Sequence, residues 1–335
     1  MSWLELNSRW RGKRDWVQVE VTSWCNAACI YCPRTVYRDN WKNRHLSPAT
    51  FKRLLPSFAA ARLIYLQGWG EPLLSPHFFS MVSMAKGAGC MVGTTTNGML
   101  LDAPKILQMV ETGIDLVAFS LAGVDERNDA VRRGTSLKQV LAAIQALSRT
   151  KAELGRATPV IHVAYMLLRS GLKDLERLPV LLQGSGVSQI VVSTLDFVAA
   201  NDLESEAIRP ADAGEYEDIR SRLEELVLLG KKCGFEVHFQ LHDPGRRRPA
   251  CTENVQQALV VSADGMVSPC VFTNLPVSGV SQFHKGQEHP YRQLFFGNVN
   301  ERPLEEIWGQ QAYASFRRSF DHGKLAPPCR HCSKL

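Results

Sequence analysis

Six short runs of apolar and β-branched residues alternate with longer amphipathic stretches from residue 16 to about residue 240. The apolar runs cover residues 16–22, 62–68, 90–97, 115–123, 160–167 and 189–196. Helical spacing of apolar residues occurs between them, at residues 47–61, 76–89, 103–113 and 136–155. Nearly continuous apolar strands that alternate with helices are typical of βαβ units in a parallel sheet. The pattern predicts an α/β fold, a partial (β/α)6 TIM-type barrel, with its working residues at the carboxyl ends of the strands.

The pattern changes near residue 240, where a polar stretch rich in proline and glycine begins. Residues 258–272 predict two short strands around Asp264 and Gly265, a dipeptide that favours a tight hairpin turn. Residues 302–320 predict one amphipathic helix with Pro303 near its start. We therefore predict a barrel domain at residues 1–240 and a small domain of β-hairpin plus helix at residues 241–335.

Composition and charge narrow the class of protein. The chain has 335 residues, 45% of them hydrophobic, and 39 basic against 33 acidic residues give a net charge of +6. This mild excess does not indicate nucleic acid, and we expect no such partner. No apolar run is long enough to span a membrane, and the first residues do not resemble a signal peptide. We expect a cytoplasmic protein with no membrane partner, in which cysteines do not form a disulfide framework.

The nine cysteines form two groups and two single residues. The first group follows the first predicted strand with the spacing C-x3-C-x2-C: Cys25, Cys29 and Cys32. The second group lies near the end of the chain: Cys251, Cys270, Cys329 and Cys332. Grouped thiols indicate metal or iron–sulfur ligands, and three thiols would leave one iron of a [4Fe–4S] cluster open. Cys90 and Cys233 are expected to be small buried apolar residues.

The first group resembles the motif of the radical S-adenosylmethionine (SAM) superfamily, in which an aromatic residue, here Tyr31, precedes the third cysteine. The resemblance implies that the three cysteines hold a [4Fe–4S] cluster whose open iron binds SAM. Residues 68–74, GWGEPLL, follow the second strand, where the family carries a GGEP-like motif; a tryptophan replaces one glycine here. The resemblance implies a set of SAM-contacting residues: Tyr31, Gly68, Trp69, Gly70, Glu71, Asn97, Ser120 and Arg132.

Three of these assignments have alternatives. Asn97 and Ser120 also fit ordinary turn chemistry or a helix cap. The family arginine near SAM is matched by Arg132 or by Arg133 in the sequence AVRRG.

The second group resembles the SPASM/twitch extensions of radical SAM enzymes, since Cys251, Gly265 and Cys270 fit C-x13-G-x4-C. The later cysteines of the full SPASM pattern are missing. The resemblance therefore implies one auxiliary [4Fe–4S] cluster on the four cysteines of the second group, and a four-thiol zinc site is the alternative.

The resemblance implies an enzyme that reductively cleaves SAM to a 5′-deoxyadenosyl radical, which abstracts hydrogen from the substrate. An auxiliary cluster with four protein ligands has no open iron, so we expect it to accept an electron during dehydrogenation of a small molecule. The one-cluster arrangement looks most like the radical SAM dehydrogenase of butirosin biosynthesis. The alternative is a peptide-modifying maturase that forms epimers or crosslinks, disfavoured because 24 residues precede Cys25. A remote alternative is a non-enzymatic iron–sulfur or zinc protein.

The expected partners are a small-molecule or peptide substrate and a reducing protein such as flavodoxin or ferredoxin. The sequence identifies no general acid or base, so the catalytic residues remain unknown. Residues near late strand ends are candidates for the substrate pocket: Tyr165, Met166, Asp196, His238 and His242. The basic run at residues 246–248 is a candidate for binding phosphate or carboxylate.

Overall fold

The structure is a computed structural model that describes residues 14–245, 251–330 and 332–334. The strands are β1 Arg14–Val19, β2 Ala28–Cys29, β3 Ala61–Leu66, β4 Met91–Thr96, β5 Leu116–Leu121, β6 Arg132–Arg133, β7 Val160–Leu167, β8 Gln189–Thr194, β9 Glu236–Phe239, β10 Ala258–Val261, β11 Met266–Ser268, β12 Ser281–His284, β13 Gln287–Pro290 and β14 Gly297–Asn298. The helices are α1 Pro33–Val36, α2 Pro48–Phe58, α3 Phe78–Gly87, α4 Ala103–Glu111, α5 Glu126–Val131, α6 Leu137–Glu153, α7 Arg177–Leu182, α8 Ala213–Lys232, α9 Leu304–Gly309 and α10 Gln311–Ser319.

One large sheet organises the molecule, with strand order β14-β11-β10-β1-β3-β4-β5-β7-β8-β9. The six predicted strands correspond to β1, β3, β4, β5, β7 and β8, and each pairs in parallel with its neighbours in this set. The predicted partial TIM-type barrel is therefore confirmed. Two further strands join it in parallel, β9 beside β8 and β10 beside β1. The sequence did not indicate β9, because four residues are too few to show a period.

The C-terminal region contains the predicted hairpin and departs from one other prediction. β10 and β11 pair antiparallel around Gly265, whose φ of +87° requires glycine at this turn. The single helix predicted at 302–320 is wrong, because two helices, α9 and α10, meet at an extended Gln310. Gly309 weakens the helix before the break, and Arg317 folds back over the Trp308 ring at 3.7 Å. The boundary at residue 240 stays a prediction, and the large sheet crosses it.

Helix starts follow the local sequence rules for capping. Ser47, Asp102 and Asp212 each accept a backbone hydrogen bond from the third residue after them, at the starts of α2, α4 and α8. The caps fix where each helix begins after its strand, and hence where each strand-end loop lies. Within the described residues, no helix is both long enough and apolar enough to cross a bilayer.

A buried carboxylate joins three strand-end segments. Glu20 follows β1 directly and is 3% exposed. One of its oxygens accepts a hydrogen bond from the Trp69 backbone N–H at 2.9 Å, and the other accepts one from the Ala263 N–H at 3.2 Å. Glu20 therefore ties the end of β1 to the loop after β3 and to the β10–β11 turn. Burial raises the pKa of this carboxyl group to about 7.

We predict that Glu20→Gln removes a pH-dependent loss of stability. The folded state holds the Glu20 proton more tightly than the unfolded state does, so its contribution to stability is lost as pH rises from about 4.5 to about 7. The expected loss is about 3 kcal/mol. Burial lowers the pKa of His162 to about 4. This shift makes stability fall as pH drops below the usual histidine pKa, which is opposite in direction to the Glu20 effect.

Urea denaturation of both proteins at several pH values separates these effects, because His162 is common to both. The unfolding free energy of the variant minus that of the wild type should increase with pH across this window. A difference that stays constant with pH would contradict the role given to Glu20.

Candidate active site

The first cysteine group lies on a loop at the carboxyl end of β1. Its middle thiol, Cys29, is on β2 and pairs with Arg132 on β6, so a two-stranded ribbon supports the loop. Cys29 is buried, and Cys25 and Cys32 are half-buried. Burial raises the pKa of Cys32 to about 12, and the neighbouring Cys29 and Cys25 thiols add to the rise. Thiolates repel one another unless a cationic group binds them, so a set of three cysteines on one loop fits an iron–sulfur cluster.

The surroundings of this loop are apolar. Cys29 and Tyr31 pack in a cluster of buried side chains that comes from the ends of β5, β7 and β8, namely Ala122, Leu168, Leu195, Val198, Leu203 and Ala207. Met166 packs against the same cluster. This wall excludes water from the region above the cysteine loop.

Tyr31 and Arg132 form a buried pair beside the thiols. The Arg132 guanidinium donates a hydrogen bond to the Tyr31 hydroxyl, and both residues are less than a tenth exposed. Burial raises the pKa of Tyr31, which keeps its phenol neutral. The Nε of Arg132 is buried and has no hydrogen-bond partner in the described residues. Arg133 is exposed, so the geometry favours Arg132 as the arginine that faces the site.

The two glycines of GWGEP are required by close packing within the protein. A Cβ at Gly70 would lie 2.3 Å from the Thr22 carbonyl oxygen and 2.5 Å from that of Trp24. A Cβ at Gly68 would lie 2.2 Å from the Glu20 Cγ. The Glu71 N–H donates to the Trp24 carbonyl oxygen at 2.7 Å. The loop after β3 therefore lies directly against the backbone that leads into the cysteine loop.

Glu71 connects this loop to the end of β4. Its carboxylate accepts hydrogen bonds from the Thr96 hydroxyl and the Asn97 N–H, each at 2.7 Å, and from the Leu73 N–H at 3.3 Å. Burial raises the pKa of Glu71, while these hydrogen bonds lower it. Its predicted contact with SAM stays a prediction; the structure adds that Glu71 holds two strand-end loops together.

Asn97 and Ser120 lie at the same end of the sheet. The Asn97 side-chain amide donates to Asn26 Oδ1 at 2.8 Å, and its oxygen accepts from the Met99 N–H at 3.0 Å. Asn97 thus joins the end of β4 to the cysteine loop and also has the turn role that the sequence left open. Ser120 is half-buried on β5, and its hydroxyl has no hydrogen bond to another described residue.

Trp69, which replaces a family glycine, extends toward the second cysteine group. Its indole N–H donates to the Val271 carbonyl oxygen at 3.3 Å. Its ring contacts Trp41 and Phe272, with centroids 6.3 and 6.1 Å apart. Phe272 in turn stacks on Phe197 at 6.3 Å. No sequence pattern links these aromatic residues, which lie far apart along the chain.

The four thiols of the second cysteine group line one cavity: Cys251, Cys270, Cys329 and Cys332. Burial raises the pKa of Cys251 and of Cys329 to about 12, with neighbouring thiols contributing, and burial raises that of Cys332 to about 11. Four thiols around one space fit the ligand set of a cluster. Among the described residues, no three Cys, His, Asp or Glu side chains are arranged to hold a single metal ion.

An ion-pair group that the sequence did not indicate lies beside this cavity. The Lys334 Nζ lies 2.8 Å from Asp196 Oδ2 and 3.2 Å from Glu253 Oε1. It also lies 5.7 Å from the centre of the Phe272 ring. Lys334 therefore fixes the chain after Cys332 to the end of β8 and to the segment after Cys251.

The remaining residues that the sequence analysis singled out lie in separate parts of the structure. Tyr165 is 1% exposed within the main core, and His238 is exposed on β9. His242 lines a cavity beside Cys332. The basic run at residues 246–248 lies outside the described residues. Cys90 is buried in the core, and Cys233 packs against it, as expected for apolar roles.

Family models and known proteins match most of this chain. The family model described as the radical SAM superfamily matches residues 19–169, and the SPASM model, described as an iron–sulfur cluster-binding domain, matches residues 251–333. The tungsten-containing aldehyde ferredoxin oxidoreductase cofactor-modifying protein of Pyrococcus furiosus is 28% identical over 95% of this chain and 87% of its own length. The PqqA peptide cyclase of Gluconobacter oxydans is 25% identical over 94% of this chain and 81% of its own.

A solved structure shows the same fold. Native anSMEcpe with bound AdoMet and Cp18Cys peptide superposes with a TM-score of 0.65 at 17% identity, covering 95% of this chain and 87% of that one. The matched regions contain both cysteine groups at the positions described above. This chain belongs to the radical SAM superfamily and carries a C-terminal SPASM domain, and it is an enzyme whose cofactors are SAM and [4Fe–4S] clusters.

Proposed function

We propose that this enzyme dehydrogenates a small molecule in a two-electron oxidation, with an auxiliary [4Fe–4S] cluster as electron acceptor. One observation carries the proposal: four thiols line a single cavity beside the aromatic side chain of Phe272. A cluster held by all four has no open iron for a substrate, so electron acceptance is the chemistry left to it. The similarity to the butirosin dehydrogenase rests on the cysteine pattern alone.

In this proposal, the residues of the protein bind and orient SAM and the first cluster and shield them from water. When bound, SAM and the first cluster supply the abstraction of a hydrogen atom from an unactivated C–H bond. We propose Cys25, Cys29 and Cys32 as the ligands of that cluster. The proposed SAM contacts are Tyr31, Gly68, Trp69, Gly70, Glu71, Asn97, Ser120 and Arg132. The apolar wall over the loop keeps water away from a reactive species.

Electron supply requires a reducing partner, for which we propose a flavodoxin or ferredoxin. None of the nine cysteines forms a disulfide, which supports a reducing, cytoplasmic location.

Peptide modification is the second candidate. It is supported by the similarity to a protein named PqqA peptide cyclase and by the shared fold with anSMEcpe, which was solved with a peptide. A substrate screen separates the two candidates. Alcohol-type small molecules and peptides are each added to the reduced enzyme, and 5′-deoxyadenosine formation above the substrate-free level identifies the class.

We predict that the reconstituted wild type contains about eight irons per chain and forms 5′-deoxyadenosine from SAM under dithionite. Replacing Cys25, Cys29 and Cys32 together by alanine should remove about four irons and abolish SAM cleavage, because the SAM-binding iron is lost. Cys270→Ala should also lower the iron content while substrate-free SAM cleavage persists. Iron and sulfide analysis with chromatography of the products measures each outcome.

Cys233→Ala is the matched control, because this thiol lies outside both groups and should leave iron content and cleavage unchanged. A wild type with about four irons plus zinc would contradict the electron-accepting role of the second group. Absence of SAM cleavage in the fully loaded wild type would contradict the enzymatic proposal itself.

We also predict that Gly70→Ala lowers SAM affinity at least about tenfold, because a methyl group there collides with backbone oxygens that cannot move aside. Gly87→Ala is the control: nothing lies within 4 Å of a Cβ there, and its φ is ordinary. The control should bind SAM normally and be stabilised by up to about 1 kcal/mol. Equilibrium dialysis of SAM with iron analysis checks both, and normal SAM affinity in Gly70→Ala would refute the packing argument.

A further inference from the structure

A cavity of about 970 Å³ lies beside the second cysteine group. Its walls come from the start of the segment after β7, the segment before α8, the turn between β12 and β13, the loop after β9 and the end of the chain. Four cationic side chains and one carboxylate line it, a net charge of +3 with the histidines neutral. An excess of this size in a concave space favours anions.

The four cations differ in how they are neutralised. Arg169 pairs with Glu215, and Arg209 pairs with Glu204 at 2.8 Å. In the described part of the chain, Lys285 and Arg330 have no carboxylate within ion-pair distance. The cavity therefore offers positive charge that the described residues do not neutralise.

The position of Lys285 is unusual for the turn that it occupies. Lys285 and Gly286 form a two-residue hairpin loop with φ values of +54° and +73°. Asparagine, aspartate or glycine is preferred at the first of these positions, and lysine there costs conformational energy. Glu204 holds the turn in place by accepting a hydrogen bond from the Gly286 N–H. The sequence thus has a positive charge at this cavity where none of the preferred turn residues is cationic.

The cavity lies close to both cysteine groups. Arg209, His284 and Cys332 line it and also line the cavity that contains the four C-terminal thiols. Ala207, on its wall, packs in the apolar cluster around Cys29 and Tyr31. A ligand in this cavity would therefore lie next to the proposed electron acceptor and near the apolar cluster around the first cysteine group.

We propose that this cavity binds an oxyanionic group, a carboxylate or a phosphate, of the substrate, with Lys285, Arg209 and Arg330 as the recognising residues. Arginine forks and lysine ammonium groups recognise both kinds of oxyanion through charge-assisted hydrogen bonds. Naming the ligand as the substrate rests on the proposed function, whereas the binding of an anion does not.

The test is calorimetric titration of the reconstituted, SAM-loaded protein with glutarate and, separately, with inorganic phosphate at low salt. Wild type, Lys285→Asn and Lys285→Glu are compared. Asparagine suits the left-handed turn, so Lys285→Asn should fold at least as well as the wild type. We expect affinity for the preferred anion to fall about threefold in Lys285→Asn and about tenfold in Lys285→Glu, and to weaken with added salt.

Lys324→Asn is the matched control, since Lys324 is exposed, has no carboxylate partner among the described residues and does not line the cavity. Its anion affinity should equal that of the wild type. Tighter binding of glutarate assigns a carboxylate substrate, and tighter binding of phosphate assigns a phosphorylated one. No binding of either anion, or an equal loss in Lys324→Asn and Lys285→Asn, would overturn the proposal. SAM cleavage is measured on the same samples without substrate, so a failed proposal here is distinguishable from a failed enzymatic assignment.

Discussion

Direct contact between two backbone segments is the constraint on which the site depends. The loop after β3 lies against residues 22–24 so closely that Gly70 has no space for a Cβ. Hydrogen bonds hold this contact. The Trp69 N–H donates to the Glu20 carboxylate, and the Glu71 N–H donates to the Trp24 carbonyl oxygen. This packing fixes the position of the cysteine loop relative to the GWGEP loop.

The same loop also connects the barrel to the SPASM domain. Trp69 stands between the two glycines, and its ring lies against Phe272, two residues after Cys270. Lys334 fixes the end of the chain to Asp196 at the end of β8. Aromatic contacts and an ion pair therefore join the GWGEP loop and the end of β8 to the segments that carry the second cysteine group. A glycine at this position could not make that connection.

The raised pKa values of the cysteine thiols link cofactor binding to the fold. Burial and neighbouring thiols raise the pKa of Cys32, Cys251 and Cys329 to about 12. Iron bound at either group would supply the positive charge that makes thiolates stable there, so we expect cluster binding and local folding to be coupled.

The sequence alone determined the barrel, its six central strands, the hairpin at Gly265 and both cysteine groups. These features are local: a strand shows in a short apolar run, and ligand spacing shows in consecutive residues. The break at Gln310, strand β9, and the contacts of Glu20, Trp69 and Lys334 were not predictable. Each depends on a partner distant in the chain, as when Glu20 meets Ala263 or Lys334 meets Asp196. Only the tertiary structure brings such partners together, because burial and charge pairing are set by the neighbours that packing supplies and not by sequence spacing.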